Sequence, residues 1–168
     1  PREANLRVLV VQHMPEGFTD RFADRLDGGS QYQVREASDG DRIGPGEARV
    51  APGGKHLRVT DDRGGRLRLE LDGSSPLHGT RPAIDHTMSS AAEAVSGPLV
   101  GAVLTGMGKD GVDGMTDIQR AGGSTVAQDE STSAIFGMPK RAIEAGCVEE
   151  VLPAEEIADG VLDAIARD

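Results

Sequence analysis

Residues 99–111, LVGAVLTGMGKDG, decide the fold. The first six are an uninterrupted apolar run, long enough for one buried strand. A glycine-rich turn with a single acid, Asp110, follows, and then the helical pattern of residues 112–120. Strand, turn and helix in that order form one unit of an open α/β sheet, and such sheets carry their chemistry at the carboxyl ends of the strands. The glycines allow a tight turn with backbone N–H groups presented at close range. A second apolar stretch, residues 7–12 (RVLVVQ), ends similarly in His13-Met14-Pro15. An imidazole and a carboxylate that each close a parallel strand can meet at one rim of the sheet, and that pairing suggests hydrolysis.

Working outward, residues 18–26 place Phe18, Phe22 and Leu26 at helical spacing after Pro15, and Gly28-Gly29 stops that helix. Residues 31–37 read as a strand. Residues 48–51, 55–60 and 66–71 read as short strands of an antiparallel insert, joined by a hairpin turn at 61–65 (DDRGG). Leu67, Leu69 and Leu71 share one face of it. Residues 82–95 are helical, with Ile84, Met88 and Ala92 as the inner line. A strand at 124–128, a helix over 131–145, a strand at 147–152 and a helix over 154–166 complete the chain. The expected fold is a doubly wound, mostly parallel sheet in three Rossmann-like layers, with an antiparallel β-hairpin insert. All 168 residues read as one domain.

Composition narrows the partners. Twenty-eight Asp and Glu stand against eighteen Lys and Arg, a formal charge of −10. That surface repels nucleic acid and anionic membranes, and it suits a halophilic setting, where salt screens self-repulsion. The one cysteine, Cys147, excludes an internal disulfide and reads as a buried thiol in a reducing cytoplasm. No segment approaches the roughly 20 apolar residues of a membrane span, so no membrane insertion is expected. The opening residues lack an apolar signal core, and a strand follows almost at once without an initial Met, as in a fragment of a longer chain.

His13 is the candidate general base, with a backbone-bonded core histidine as the bland alternative. Asp110 is the candidate orienting acid; it also suits the N-cap of the helix after it. The N–H groups of the 106–108 turn are candidate oxyanion donors, each worth roughly 2.7–4 kcal/mol in a transition state. His56 reads as exposed, and His86 as facing solvent or a cleft. No His pair shows metal-ligand spacing with Cys or carboxylates, so no zinc site is expected. The glycine spacing fits neither a P-loop nor a dinucleotide fingerprint.

Seven segments in series, QHMPEGFTDRFADRLD, APGGKH, RPAID, VLTGMGKDG, AGGSTVAQDE, FGMP and AIEAGCVEEVLP, resemble the catalytic domain of the chemotaxis protein-glutamate methylesterases, the CheB family. The resemblance implies a serine hydrolase that removes methyl groups from glutamate esters of methyl-accepting chemotaxis receptors and deamidates certain receptor glutamines, without a cofactor. It implies that His13 is the base, Asp110 the orienting acid and Met107 the residue whose N–H holds the oxyanion. Arg81 and residues 136–139 match positions at the site's edge and carry no assigned chemistry. The family's nucleophilic serine lies in a Gly-rich turn upstream of the strand that carries the His, and no serine here has that context. The expectation is therefore a domain with base and acid whose serine lies before Pro1, and which is inactive alone. The family's usual N-terminal receiver domain is likewise an expectation about the parent protein. A non-catalytic binding domain of the same fold, or a nucleotide-binding domain, are the competing readings.

Overall fold

The computed structural model describes residues 6–61 and 67–167. Its elements run β1 (Arg7–Val10), α1 (Thr19–Asp27), β2 (Gln33–Glu36), β3 (Glu47–Val50), β4 (His56–Asp61), β5 (Leu67–Asp72), α2 (Ile84–Ala94), β6 (Val100–Val103), α3 (Val112–Arg120), β7 (Ser124–Gln128), α4 (Met138–Glu144), β8 (Glu150–Leu152), a 3₁₀ turn (Ala154–Glu156) and α5 (Ile157–Arg167). The expected α/β architecture stands, with two parallel three-stranded pieces ordered β1-β3-β2 and β6-β7-β8.

One assignment changes. Residues 48–51 were expected in the antiparallel insert, yet β3 is the central strand of the first parallel piece, pairing β1 from Arg7↔Glu47 to Val10↔Val50 and β2 from Gln33↔Glu47 to Glu36↔Val50. A short apolar strand carries no label for the direction of its neighbours; burial of Ala48 and Val50 on one face and of Arg49 on the other suits a central parallel position. Among the named strands of the described residues, β4 and β5 alone pair antiparallel, Leu57 opposite Leu71 and Val59 opposite Leu69. Residues 62–65 of the expected hairpin turn, and Arg66 of the expected strand, lie outside the described residues.

The inward face of the hairpin buries Leu57, Val59 and Leu69 in one core cluster, with Leu67 and Leu71 packed against it. Helix α2 lies across this face. Ser90 Oγ accepts the N–H of Val59 and Thr87 Oγ1 donates to the carbonyl of Leu57, so the helix is tied to β4 by side chains. The inner line of α2 is accordingly broader than expected: Ile84, Asp85, Thr87, Ser90 and Ala91 are buried, while Ala92 is only half-buried. Its other side meets α3 at Gly114, where a Cβ would lie 2.4 Å from Met88 Cβ. Only glycine permits that approach, which brings the N-terminus of α3 within reach of the first turn of α2.

Other differences are local. In α1, Phe18 stands outside the helix and exposed; Phe22 and Leu26 pack on the β1-β3-β2 piece beside buried Ala23. The helix expected over 131–145 begins only at Met138. Ahead of it, the Asp129 carboxylate accepts from Ser131 Oγ, Thr132 Oγ1 and Thr132 N, and the 135–138 backbone bonds Thr105 and Gly106 instead of itself. Asx turns of this kind compete directly with helix formation. Cys147 is buried as expected, but precedes β8 and donates to the carbonyl of Ala142 rather than lying in a strand. Burial holds its thiol above the usual cysteine range, as suits an inert structural residue.

Candidate active site

Strands β1 and β6 deliver the two candidate groups to the same rim. Val11, just past β1, packs against both the hairpin cluster and the cluster of Ile84, Val103 and Met115, which fixes where the chain emerges at His13. The following loop is held from below: a Cβ on Gly53 would lie 2.4 Å from the backbone of Pro15. His13 Nε2 lies 2.6 Å from Asp110 Oδ2. The imidazole is a quarter exposed and the carboxylate 3 % exposed. With Nε2 turned to the acid, the neutral ring carries its proton there and presents Nδ1 as the acceptor. Among the described residues, nothing hydrogen-bonds Nδ1.

Asp110 is not the cap of its own helix. Gly111, with φ +103°, is the N-cap residue of α3, and it has no side chain of its own to cap the helix. Instead Asp110 reaches across to α2, accepting the N–H of Ile84 on Oδ2 at 2.7 Å and that of Asp85 on Oδ1 at 2.9 Å. Thr80 Oγ1 adds a longer contact to Oδ2 at 3.4 Å. Burial would push this carboxyl up, but the bonds from His13 and the two backbone N–H groups outweigh it and hold its pKa below the ordinary value. Asp110 is therefore a carboxylate at neutral pH, the form that orients an imidazole and stabilises its cation.

The turn of residues 105–108 forms the other wall. Gly106 donates to the carbonyl of Ile135 and accepts from Gly137 and Met138. A Cβ on Gly137 would lie 2.5 Å from the carbonyl oxygen of Gly106, so the two segments touch backbone to backbone. This fixes the peptide that carries Met107, whose residue is 79 % exposed. Among the described residues its N–H finds no acceptor.

The sequence profile of the family described as CheB methylesterase matches residues 1–161. The chain belongs to the CheB methylesterase family. It is 61% identical over its whole length to a protein-glutamate methylesterase/protein-glutamine glutaminase of Natronomonas pharaonis, covering 47% of that protein. It is 58% identical, again over its whole length, to the one of Haloarcula marismortui, covering 46%. Thus the chain spans about half the length of these relatives, and their haloarchaeal sources accord with its acidic composition. The crystal structure of the Thermotoga maritima CheB methylesterase catalytic domain superposes with a TM-score of 0.93 at 40% identity, covering 97% of this chain and 86% of that one. The family match does not favour the binding-only or nucleotide-binding readings.

The fold also brings together what the sequence reading kept apart. Asp85 of RPAID is buried; its Oδ1 accepts the N–H groups of Gly111 and Gly114, and its Oδ2 lies 2.8 Å from His78 Nε2. A second His–Asp pair, with a buried acid and a more exposed imidazole, thus stands beside the first. Its signal was an acid in the first turn of a helix, directly after the apolar stretch Pro82-Ala83-Ile84. His78, Asp85 and Asp110 place ligand atoms within 4.8 Å of one another. They fit a metal poorly, because the carboxylate oxygens already face N–H donors that a cation would have to displace.

His56, expected exposed, is fully buried: its Nε2 lies 3.1 Å from the carbonyl of Ser75, its Nδ1 accepts from Ala83 N, and its ring stacks on His86 at 4.5 Å. His86 lines a cleft of about 320 Å³ with Asp85 and Asp113, and His13 is not among its lining residues. Arg81 donates to the carbonyls of Gly73 and Ser74, a loop clamp rather than a chemical group.

Proposed function

We propose that this domain is the hydrolytic half of a cytoplasmic enzyme that cleaves glutamate methyl esters, and deamidates particular glutamines, on methyl-accepting chemotaxis receptors. The observation that carries the reading is the 2.6 Å contact between His13 and the buried, ionised Asp110, in a chain of this family. In the proposed reaction a serine outside these 168 residues attacks the glutamyl carbonyl, and His13 Nδ1 takes its proton. The tetrahedral oxyanion lies against the N–H of Met107. Collapse expels methanol (ammonia from an amide), with the proton returned from His13. Water then attacks the acyl-enzyme by the same route and releases glutamate.

Two features support the placing of the nucleophile elsewhere. Among the described residues no serine hydrogen-bonds His13, and Ser74, Ser89, Ser90, Ser131 and Ser133 spend their hydroxyls on Asp72, Asp117, Thr87 and Asp129. The relatives' greater length leaves room for it and for the receiver domain we propose beside it. Release of labelled methanol from methylated receptor membranes by the full-length protein is the test. His13→Ala should lower the rate by orders of magnitude; an unchanged rate, or its abolition by replacing a serine within residues 6–167, would refute the assignment.

A further inference from the structure

We propose that His78 is a positioning residue for the His13–Asp110 pair, acting through Asp85; the inference rests on the hydrolytic reading for its kinetic consequence only. The two carboxylates exchange helix ends. Asp110, at the start of α3, accepts the first N–H groups of α2; Asp85, in the first turn of α2, accepts the first N–H groups of α3. Each carboxylate also faces one imidazole, His13 at 2.6 Å and His78 at 2.8 Å. Neither acid can shift without loosening the N–H groups that hold the other. Since Asp85 grips Gly111 N, the residue directly after Asp110, its placement fixes that of the candidate orienting acid.

His78 adjusts its backbone to make this contact. It has φ +53°, the left-handed conformation, where a non-glycine residue is uncommon. Its turn is closed by Leu77 and Thr80, whose N–H groups each donate to the other's carbonyl. The same turn sends Thr80 Oγ1 toward Asp110, so one short segment touches both carboxylates. Strain of this sort persists where surrounding contacts over-determine it. Burial and the neighbouring charges of Asp110 and Asp113 work against a charged Asp85, whereas the bonds from Gly114 and His78 favour it. Among the described residues, His78 is the one side chain that bonds this acid, and His78→Gly removes that bond.

His78→Gly separates the imidazole from the turn, because glycine adopts φ +53° freely. In the full-length protein this variant should lower kcat by ten-fold or more, up to about 100-fold for an ångström-scale misplacement, with KM unchanged. Asp85→Asn should do the same, and the double variant should be no worse than either single one. His78→Asn, which tolerates the left-handed backbone and keeps an N–H donor, should recover part of the loss. A second readout needs no turnover: the hydrogen-bonded Nε2 proton of His13, followed by NMR, should move or vanish in His78→Gly and return in His78→Asn. A lower melting temperature with kcat within two-fold of wild type and that resonance unmoved would overturn the proposal. If wild type releases no methanol, or His13→Ala keeps its rate, the hydrolytic reading falls instead, and the NMR comparison still decides the role of His78.

Discussion

Asp110→Asn is the substitution whose effect can be worked most fully from the structure. Four donors converge on this carboxylate: His13 Nε2, Ile84 N, Asp85 N and, at longer range, Thr80 Oγ1. An asparagine offers one oxygen in place of two. With the oxygen turned to Ile84 and His13, the amide NH₂ faces the N–H of Asp85, donor against donor. A hydrogen bond to a charged group is worth roughly 1.5–3 kcal/mol, and a buried donor left unpaired costs roughly 1–3 kcal/mol. The two overlap, so the expected loss is about 2–4 kcal/mol. Relief of the burial penalty on the charge opposes this, but the lowered pKa of Asp110 says that the ionised form is favoured in the fold. Urea unfolding of wild type and variant should show the midpoint falling with an unchanged slope. A change below about 0.5 kcal/mol would refute the reasoning, since that is the range of surface substitutions away from such features.

The remaining expectations are simpler. His13→Ala should abolish hydrolysis in the full-length protein and cost less stability than Asp110→Asn, because the ring is partly exposed and the N–H groups of Ile84 and Asp85 still hold the carboxylate; comparing turnover with the melting temperature checks both. Gly111→Ala should lose roughly 1–3 kcal/mol in urea, since φ +103° is strained for a side chain and the new Cβ would sit 3.0 Å from Val103 Cγ2. The folded pKa of Asp110 is lowered, so its stabilisation is present above the ordinary value of 3.8 and is lost as pH falls through the folded value. Acid unfolding should therefore be shallower in Asp110→Asn than in wild type below that pH.

The sequence disclosed the strand–turn–helix units and the meeting of His13 with Asp110, because a buried strand running into a glycine turn has few ways to end. It did not disclose the partner direction of β3, since burial of Ala48 and Val50 on one face and of Arg49 on the other becomes visible only once the neighbouring strands are in place. The segment 131–137 looked helical by composition, but Asp129 captures its donors locally. His56 follows two glycines and a lysine, a context that suggests solvent; Ser75 and Ala83, distant in sequence, close around it. Asp85 lay within a motif already noticed, yet its role depends on the close crossing of α2 and α3 at Gly114. The acid was plain; the helix end it serves was not.

The doubling of duty at Asp110 bears on how the protein is silenced in a living cell. Under the function proposed above, an allele that removes this carboxylate strikes the scaffold along with the chemistry, and a loss of receptor demethylation then reflects scarce protein as well as an idle one. Replacing the imidazole of His13 leaves the scaffold standing, which makes it the cleaner choice wherever abundance and activity have to be told apart.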